Sequence, residues 1–239
     1  GKPSHEVVRK ALTALACMEH RGGVCGDTGD GAGLTAVIPQ AFFKEEARRL
    51  RLDGARYLKP EDLLAVGVIF LMESDPVRQD RVRQLIRECI PAESFPLLGV
   101  RPVPTCDDVL SARARSTRPA SIEQWLYRVN VPHEAEAERR LYRARLALRA
   151  RLAEEGLQVY IPSFSTRLIS YKGLLRSPQL AEYYPDLTQP NFETGIAIFH
   201  RRYSTNTFPN WTLAQPFRMT CHNGEINTIR TNRNAVSAF

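Results

Sequence analysis

Leu63-Leu64-Ala65-Val66-Gly67-Val68-Ile69-Phe70-Leu71-Met72 is the longest apolar run in the chain, and its reading decides the architecture. Its length is that of a strand and falls far short of the ~18 residues a membrane span needs. A strand without polar alternation has to be covered on both faces. Cover follows at once, because Val82, Leu85, Ile86 and Cys89 form a stripe at helical spacing. Downstream, Leu97–Val103 and Trp125–Val131 are expected strands, the second with Trp125, Tyr127, Val129 and Val131 on one side. Arg139–Ala153, rich in Ala, Leu, Arg and Glu, is an expected helix. Val159–Ile169, Gly195–His200 and Phe217–His222 are expected as strands, and Ile226–Ala238 as a helix. Upstream, Ser4 is placed to cap a helix whose apolar face is Val7, Val8, Ala11, Leu12, Leu15 and Ala16. That helix should end near His20, before Gly22 and Gly23. A glycine-rich loop from Gly22 to Gly33 then leads into a strand around Leu34–Ile38 and a helix at Ala41–Leu50. Buried strands with helices before, between and after them predict layered α/β packing.

Composition sets the class. Of the 239 residues 43% are hydrophobic and 25% charged, enough apolar content for a real core. No apolar leader precedes the first helix, so a cytosolic protein is the simplest expectation. The formal charge of +7 raises the question of nucleic acid. Much of it lies in Arg113–Arg151, where Glu134, Glu136 and Glu138 are interspersed at helical spacing, the pattern of a solvated, ion-paired face. The five cysteines (Cys17, Cys25, Cys89, Cys106 and Cys221) are scattered without a C-x-x-C, which argues against a disulfide framework and a zinc site.

Three polar clusters carry the chemistry. The first joins Glu19-His20-Arg21-Gly22-Gly23 to Gly29-Asp30-Gly31-Ala32-Gly33, glycines dense enough for a backbone that approaches a ligand. It lacks the Gly-Lys-Ser/Thr ending of a phosphate-binding loop and also fits a tight connector. The second, His200-Arg201-Arg202-Tyr203-Ser204-Thr205-Asn206, follows an apolar strand. A guanidinium at a strand end can hold a carboxylate through two parallel hydrogen bonds, with hydroxyls completing the recognition; the bland alternative is a surface loop. The third is Cys221-His222-Asn223-Gly224-Glu225-Ile226-Asn227. An asparagine amide beside an unhindered glycine N–H makes a donor pair for a developing oxyanion, although Asn-Gly is also a common tight turn.

In order along the chain these clusters resemble the class II glutamine amidotransferase domains of the glutamate synthase family. The likeness rests on Phe199-His200-x-Arg202-Tyr203-Ser204-Thr205-Asn206-Thr207-Phe208-Pro209, on Trp211 and Ala214-Gln215-Pro216-Phe217-Arg218, and on His222-Asn223-Gly224-Glu225-Ile226-Asn227-Thr228. Met18-Glu19-His20-Arg21-Gly22, Thr28-Gly29-Asp30-Gly31-Ala32-Gly33, Tyr171-Lys172-Gly173 and Tyr184-Pro185-Asp186-Leu187 add to it. It is strongest over residues 1–39 and 157–234, and residues 45–150 carry no usable motif. Thr231 and Ala235 stand where the family pattern has a glycine and a tryptophan, which reads as local drift.

The resemblance implies an α+β fold of the N-terminal nucleophile (Ntn) hydrolase type, a four-layer αββα sandwich, with residues 1–239 forming one glutaminase domain cut at both ends. It implies hydrolysis of L-glutamine to glutamate and ammonia, which is channelled to 2-oxoglutarate in ammonia assimilation and glutamate biosynthesis. The parent would be an oxidoreductase with amidotransferase activity. Carried over by residue, Arg202 binds the substrate α-carboxylate with Thr205 nearby, Arg21 borders the pocket, and Asn223 and Gly224 N–H form the oxyanion hole. The nucleophilic cysteine belongs upstream of Gly1, and the acidic residue for the substrate amino group beyond Phe239, so this chain by itself is expected to be inactive. No metal or cofactor is expected in the domain; FMN and an iron–sulfur cluster belong to the rest of the parent. Expected partners are the remaining synthase domains and either a small reductase subunit or ferredoxin, with neither nucleic acid nor membrane. The expected location is the cytoplasm, or a plastid in a photosynthetic eukaryote. Two rivals stand beside this reading. One is a different amide hydrolase using Cys221 or Cys25 with His222 or His200 as base. The other is a basic binding module.

Overall fold

The computed structural model describes residues 2–21, 23–25, 28–201, 208–217 and 230–238, without the side chains of residues 21, 24, 25, 230–232 and 235. Its helices are α1 (His5–Cys17), α2 (Gln40–Arg49), α3 (Pro76–Cys89), α4 (Ala112–Ser116), α5 (Glu134–Glu154), α6 (Gln179–Tyr183) and α7 (Arg230–Ser237). Its strands are β1 (Val24–Cys25), β2 (Thr28–Gly29), β3 (Ala32–Val37), β4 (Leu64–Leu71), β5 (Leu97–Pro102), β6 (Ser121–Arg128), β7 (Val159–Ser165), β8 (Leu168–Gly173) and β9 (Ala197–Arg201). Two antiparallel sheets result, in the orders β5-β6-β4-β7 and β8-β3-β9, with β1 and β2 forming a small hairpin.

The apolar run beginning at Leu63 becomes β4, buried along its whole length and central in its sheet. Ala65, Ile69 and Leu71 on one face pack with Trp125, Tyr127 and Phe164 under α3 and α5. Asp75 caps α3 by accepting from the Val77 N–H at 3.0 Å, and Pro76 stands at its first turn. Helix α5 buries Ala137, Leu141, Ala144, Leu148 and Leu152, a single stripe at helical spacing. Each buried leucine there contributes about 1.5–3 kcal/mol relative to exposure. On the opposite face of β4, Leu64, Val66, Val68 and Phe70 join Leu34, Ala36, Ile169 and Tyr171 of the second sheet, with Phe42 and Phe43 of α2. The sheets are also tied by polar groups. Gln124 Nε2 donates to Tyr171 Oη at 2.8 Å, and the Ser170 N–H donates to Ser163 Oγ at 3.1 Å.

Two expectations need correction. Val159–Ile169 is two strands, because Ser165 Oγ accepts the N–H groups of Arg167 (2.9 Å) and Leu168 (3.1 Å) and turns the chain back on itself. Glu138 Oε1, from α5, also receives the hydroxyls of Ser165 and Thr166 at 2.9 Å. Ser4 does not cap α1 through its side chain; its backbone pairs with Thr194 at 3.1 and 3.3 Å, so the helix start is fixed by a β-bridge. The β6 strand also begins earlier than expected, at Ser121, and ends at Arg128. Of the expected strand Phe217–His222, Phe217 lies outside any strand and residues 218–222 lie outside the described residues.

Candidate active site

Strand β3 starts where the glycine-rich loop ends, and it is the element on which the first two clusters meet. Antiparallel register sets Ala32 opposite both Gly173 and Arg201, and Gly33 opposite Lys172 and His200. The first and second clusters, far apart in sequence, therefore lie side by side.

An ion-pair network locks them there. The Arg201 side chain has no exposure and donates from Nη1 to Asp30 Oδ1 at 2.6 Å. Asp30 Oδ2 accepts the Gly23 N–H at 2.8 Å, so one carboxylate holds the strand end and the loop together. Arg201 Nε lies 3.3 Å from Glu19 Oε2, close enough for an ion pair but without a hydrogen bond's alignment. Glu19 also accepts from Arg176 Nε at 3.0 Å and the Ser177 N–H at 3.2 Å. Partial burial pushes the Glu19 pKa up, but the hydrogen bond from Arg176, the charge of Arg201 and the Ser177 bonds outweigh it and hold the carboxylate below its ordinary range.

The approach to the third cluster crosses the same place. A methyl group on Gly33 would come within 2.5 Å of Gln215 O and of Lys172 Cβ, so only a bare backbone lets the 214–217 segment lie this close to β3. Lys172 is fully buried. Its Nζ donates to Ala214 O and to Tyr160 Oη, both at 2.6 Å. The ammonium also sits 4.7 Å from the Tyr160 ring centroid and 4.6 Å from that of Phe217. Burial pulls its pKa down to about 7 and pushes the Tyr160 phenol up to about 12. Trp211 anchors the segment's start, donating from Nε1 to Ala114 O at 3.0 Å.

Arg202, Thr205, Asn223 and Gly224 lie outside the described residues, as does the Arg21 side chain, whose backbone belongs to the 3-10 turn Glu19–Arg21. Cys221, His222 and the Cys25 side chain are outside them as well. Cys17 is exposed at the end of α1. The structure thus brings together the flanks of all three clusters: Glu19 and Asp30, Arg201, and Ala214–Phe217. Asp30, Arg201 and Lys172 lie within the motifs, but sequence alone assigns them no role. The available signal was a lysine inside the otherwise uncharged strand Leu168–Gly173.

A second polar centre has a structural purpose. Asp186 receives Arg101 Nη1 at 2.8 Å and Nη2 at 2.7 Å, and the Tyr171 hydroxyl at 2.8 Å. Arg101 also bonds Gln124 Oε1 at 2.7 Å and Glu46 Oε2 at 2.8 Å. Glu46, Arg101 and Asp186 border a cavity of about 350 Å³. Because the guanidinium is committed to three side chains of this protein, the cavity offers a ligand little free charge.

Comparison with known proteins supplies the family. The profile of the family "Glutamine amidotransferases class-II" matches residues 1–239. Ferredoxin-dependent glutamate synthase 2 of Synechocystis is 43% identical over 246 residues, covering 100% of this chain and 15% of that protein. The glutamate synthase (NADPH) large chain of Azospirillum brasilense is 43% identical over 244 residues, covering 100% of this chain and 16% of its own length. Ferredoxin-dependent glutamate synthase 1 of Arabidopsis thaliana, chloroplastic/mitochondrial, is 43% identical over 240 residues, 97% of this chain and 14% of the relative. The chain spans about 15% of the length of such relatives. With its whole length matched by the family profile, and an α+β fold that suits an Ntn hydrolase, the chain belongs to the class II glutamine amidotransferases.

Proposed function

We propose that this chain serves as the glutamine-hydrolysing domain of a glutamate synthase, releasing ammonia from L-glutamine for reductive transfer to 2-oxoglutarate elsewhere in the polypeptide. The observation that carries this reading is the 43% identity to glutamate synthases over the whole chain. It is supported by the convergence of the three motif flanks on β3.

On this reading Arg202 grips the α-carboxylate through paired hydrogen bonds, with Thr205 and Arg21 at the rim. A cysteine thiolate attacks the side-chain amide carbon and the carbonyl oxygen gains negative charge, which the Asn223 amide and Gly224 N–H stabilise. The C–N bond then breaks, ammonia leaves with the thiol's proton, taken up and returned by the nucleophilic cysteine's own α-amino group, and water hydrolyses the thioester to glutamate. The proposed FMN and iron–sulfur cluster, and the residues that hold them, lie in the rest of the polypeptide. The equal likeness to ferredoxin-named and NADPH-named relatives leaves the electron donor to regions outside this stretch. Among the described residues no helix is long and apolar enough to cross a membrane; we place the protein in the cytoplasm or a plastid.

The test is steady-state glutaminase kinetics of the full-length protein carrying Arg202→Lys. A lysine cannot reproduce the paired bonds, so KM for glutamine should rise at least ~10-fold. An unchanged KM would remove Arg202 from the site.

A further inference from the structure

We propose that Lys172 is a positioning residue for glutamine hydrolysis: its buried amine fixes the Ala214–Phe217 segment, which leads in sequence to Asn223 and Gly224. The inference rests on the oxyanion role proposed above for those two residues and adds to it the group that holds the segment before them.

The geometry is specific. Lys172 Nζ is the hydrogen-bond donor to Ala214 O, and without it a carbonyl in a buried setting loses its partner. The same ammonium lies against the Phe217 ring, so both ends of the segment are gripped by one side chain. Tyr160 Oη steadies the ammonium from the four-stranded sheet, while Gly33 fixes how closely the segment lies on β3. The Lys172 amine is directed at this segment and at Tyr160. A core position needing only bulk is filled by an apolar side chain at lower cost. Lysine at this point is explained by the backbone it holds.

The experiment compares Lys172→Met, Tyr160→Phe and Asn223→Ala in the full-length protein, with glutaminase rates normalised to the folded fraction from calorimetric unfolding. Methionine preserves the stem without the amine. Misplacing the oxyanion donors by a fraction of an ångström should lower kcat ~10–100-fold in K172M, with KM for glutamine within about threefold. Y160F, which leaves the amine in place but removes its hydroxyl partner, should lower kcat less and also spare KM. It keeps the test decisive if K172M does not fold. Normal kcat in K172M, or in Y160F should K172M fail to fold, would overturn the role of Lys172 if N223A has lost activity. A loss expressed in KM would overturn it too. If N223A itself hydrolyses glutamine normally, the oxyanion assignment fails first, and the Lys172 proposal falls with it.

Discussion

Arg201 carries its charge where water does not reach, and the carboxylates of Asp30 and Glu19 make that burial tolerable. Removing one partner of a buried pair leaves the other uncompensated, at about 3–5 kcal/mol. Asp30→Ala should therefore lower the unfolding free energy of this chain by about that amount in urea denaturation. Adding Arg201→Met to it should restore part of the loss, and strictly additive losses would show that the pair is not coupled. Lys172 gives a pH signature whose sign is fixed. Its pKa of about 7 when folded lies below the ordinary lysine value of 10.5, so between those values the unfolded chain binds more protons and stability rises with pH. Below about 7 both states are protonated and the full burial penalty applies. Relative to K172M, the wild-type chain should thus gain up to about 1.4 kcal/mol per pH unit across that window. A flat difference would mean that the amine is not desolvated. None of this was readable from sequence, because a lysine in a strand does not reveal whether it faces solvent or a carbonyl from a segment some forty residues away.

At the scale of elements, periodicity did most of its work where one face is purely apolar. Helix α5 and strand β4 emerged close to their expected positions because burial dominates their composition. The β7–β8 turn was missed because it rests on Ser165, a hydroxyl that looks at home in a strand. Ser165→Ala should cost about 1–3 kcal/mol, from two backbone N–H groups losing their acceptor, and a thermal melt would register it. Gly156 follows the C-cap of α5, with φ of +62° and nothing within 4 Å of where a Cβ would go. Gly156→Ala should accordingly cost only the backbone penalty of about 1–2 kcal/mol. Gly33→Ala should cost more, since its methyl would strike Gln215 O, and equal losses at the two sites would contradict the packing of the 214–217 segment on β3.

For the whole molecule, part of the arginine charge is held in ion pairs among the described residues. Glu136 holds Arg139 at 2.8 Å and Arg140 at 3.0 Å, and Glu88 holds Arg151 at 2.7 Å. Filter binding over a salt series should show no steeply salt-dependent retention of nucleic acid; strong retention lost with salt would revive the basic-module reading. Local patterning made layered strands and helices legible in the sequence, and residue identity the order of the motifs; the α+β class came through the family resemblance that those motifs carry. That the first two clusters share β3, with Asp30, Arg201 and Lys172 as the fastenings, was not legible, because register between distant segments leaves no local trace. The most direct test is a crystal structure of the full-length protein with L-glutamate bound. The account predicts the α-carboxylate paired with Arg202, the side-chain carboxyl facing the Asn223 amide and Gly224 N–H, and Lys172 Nζ still on Ala214 O. Glutamate bound away from these groups, or Arg202 and Asn223 facing apart with no cavity between them, would contradict it.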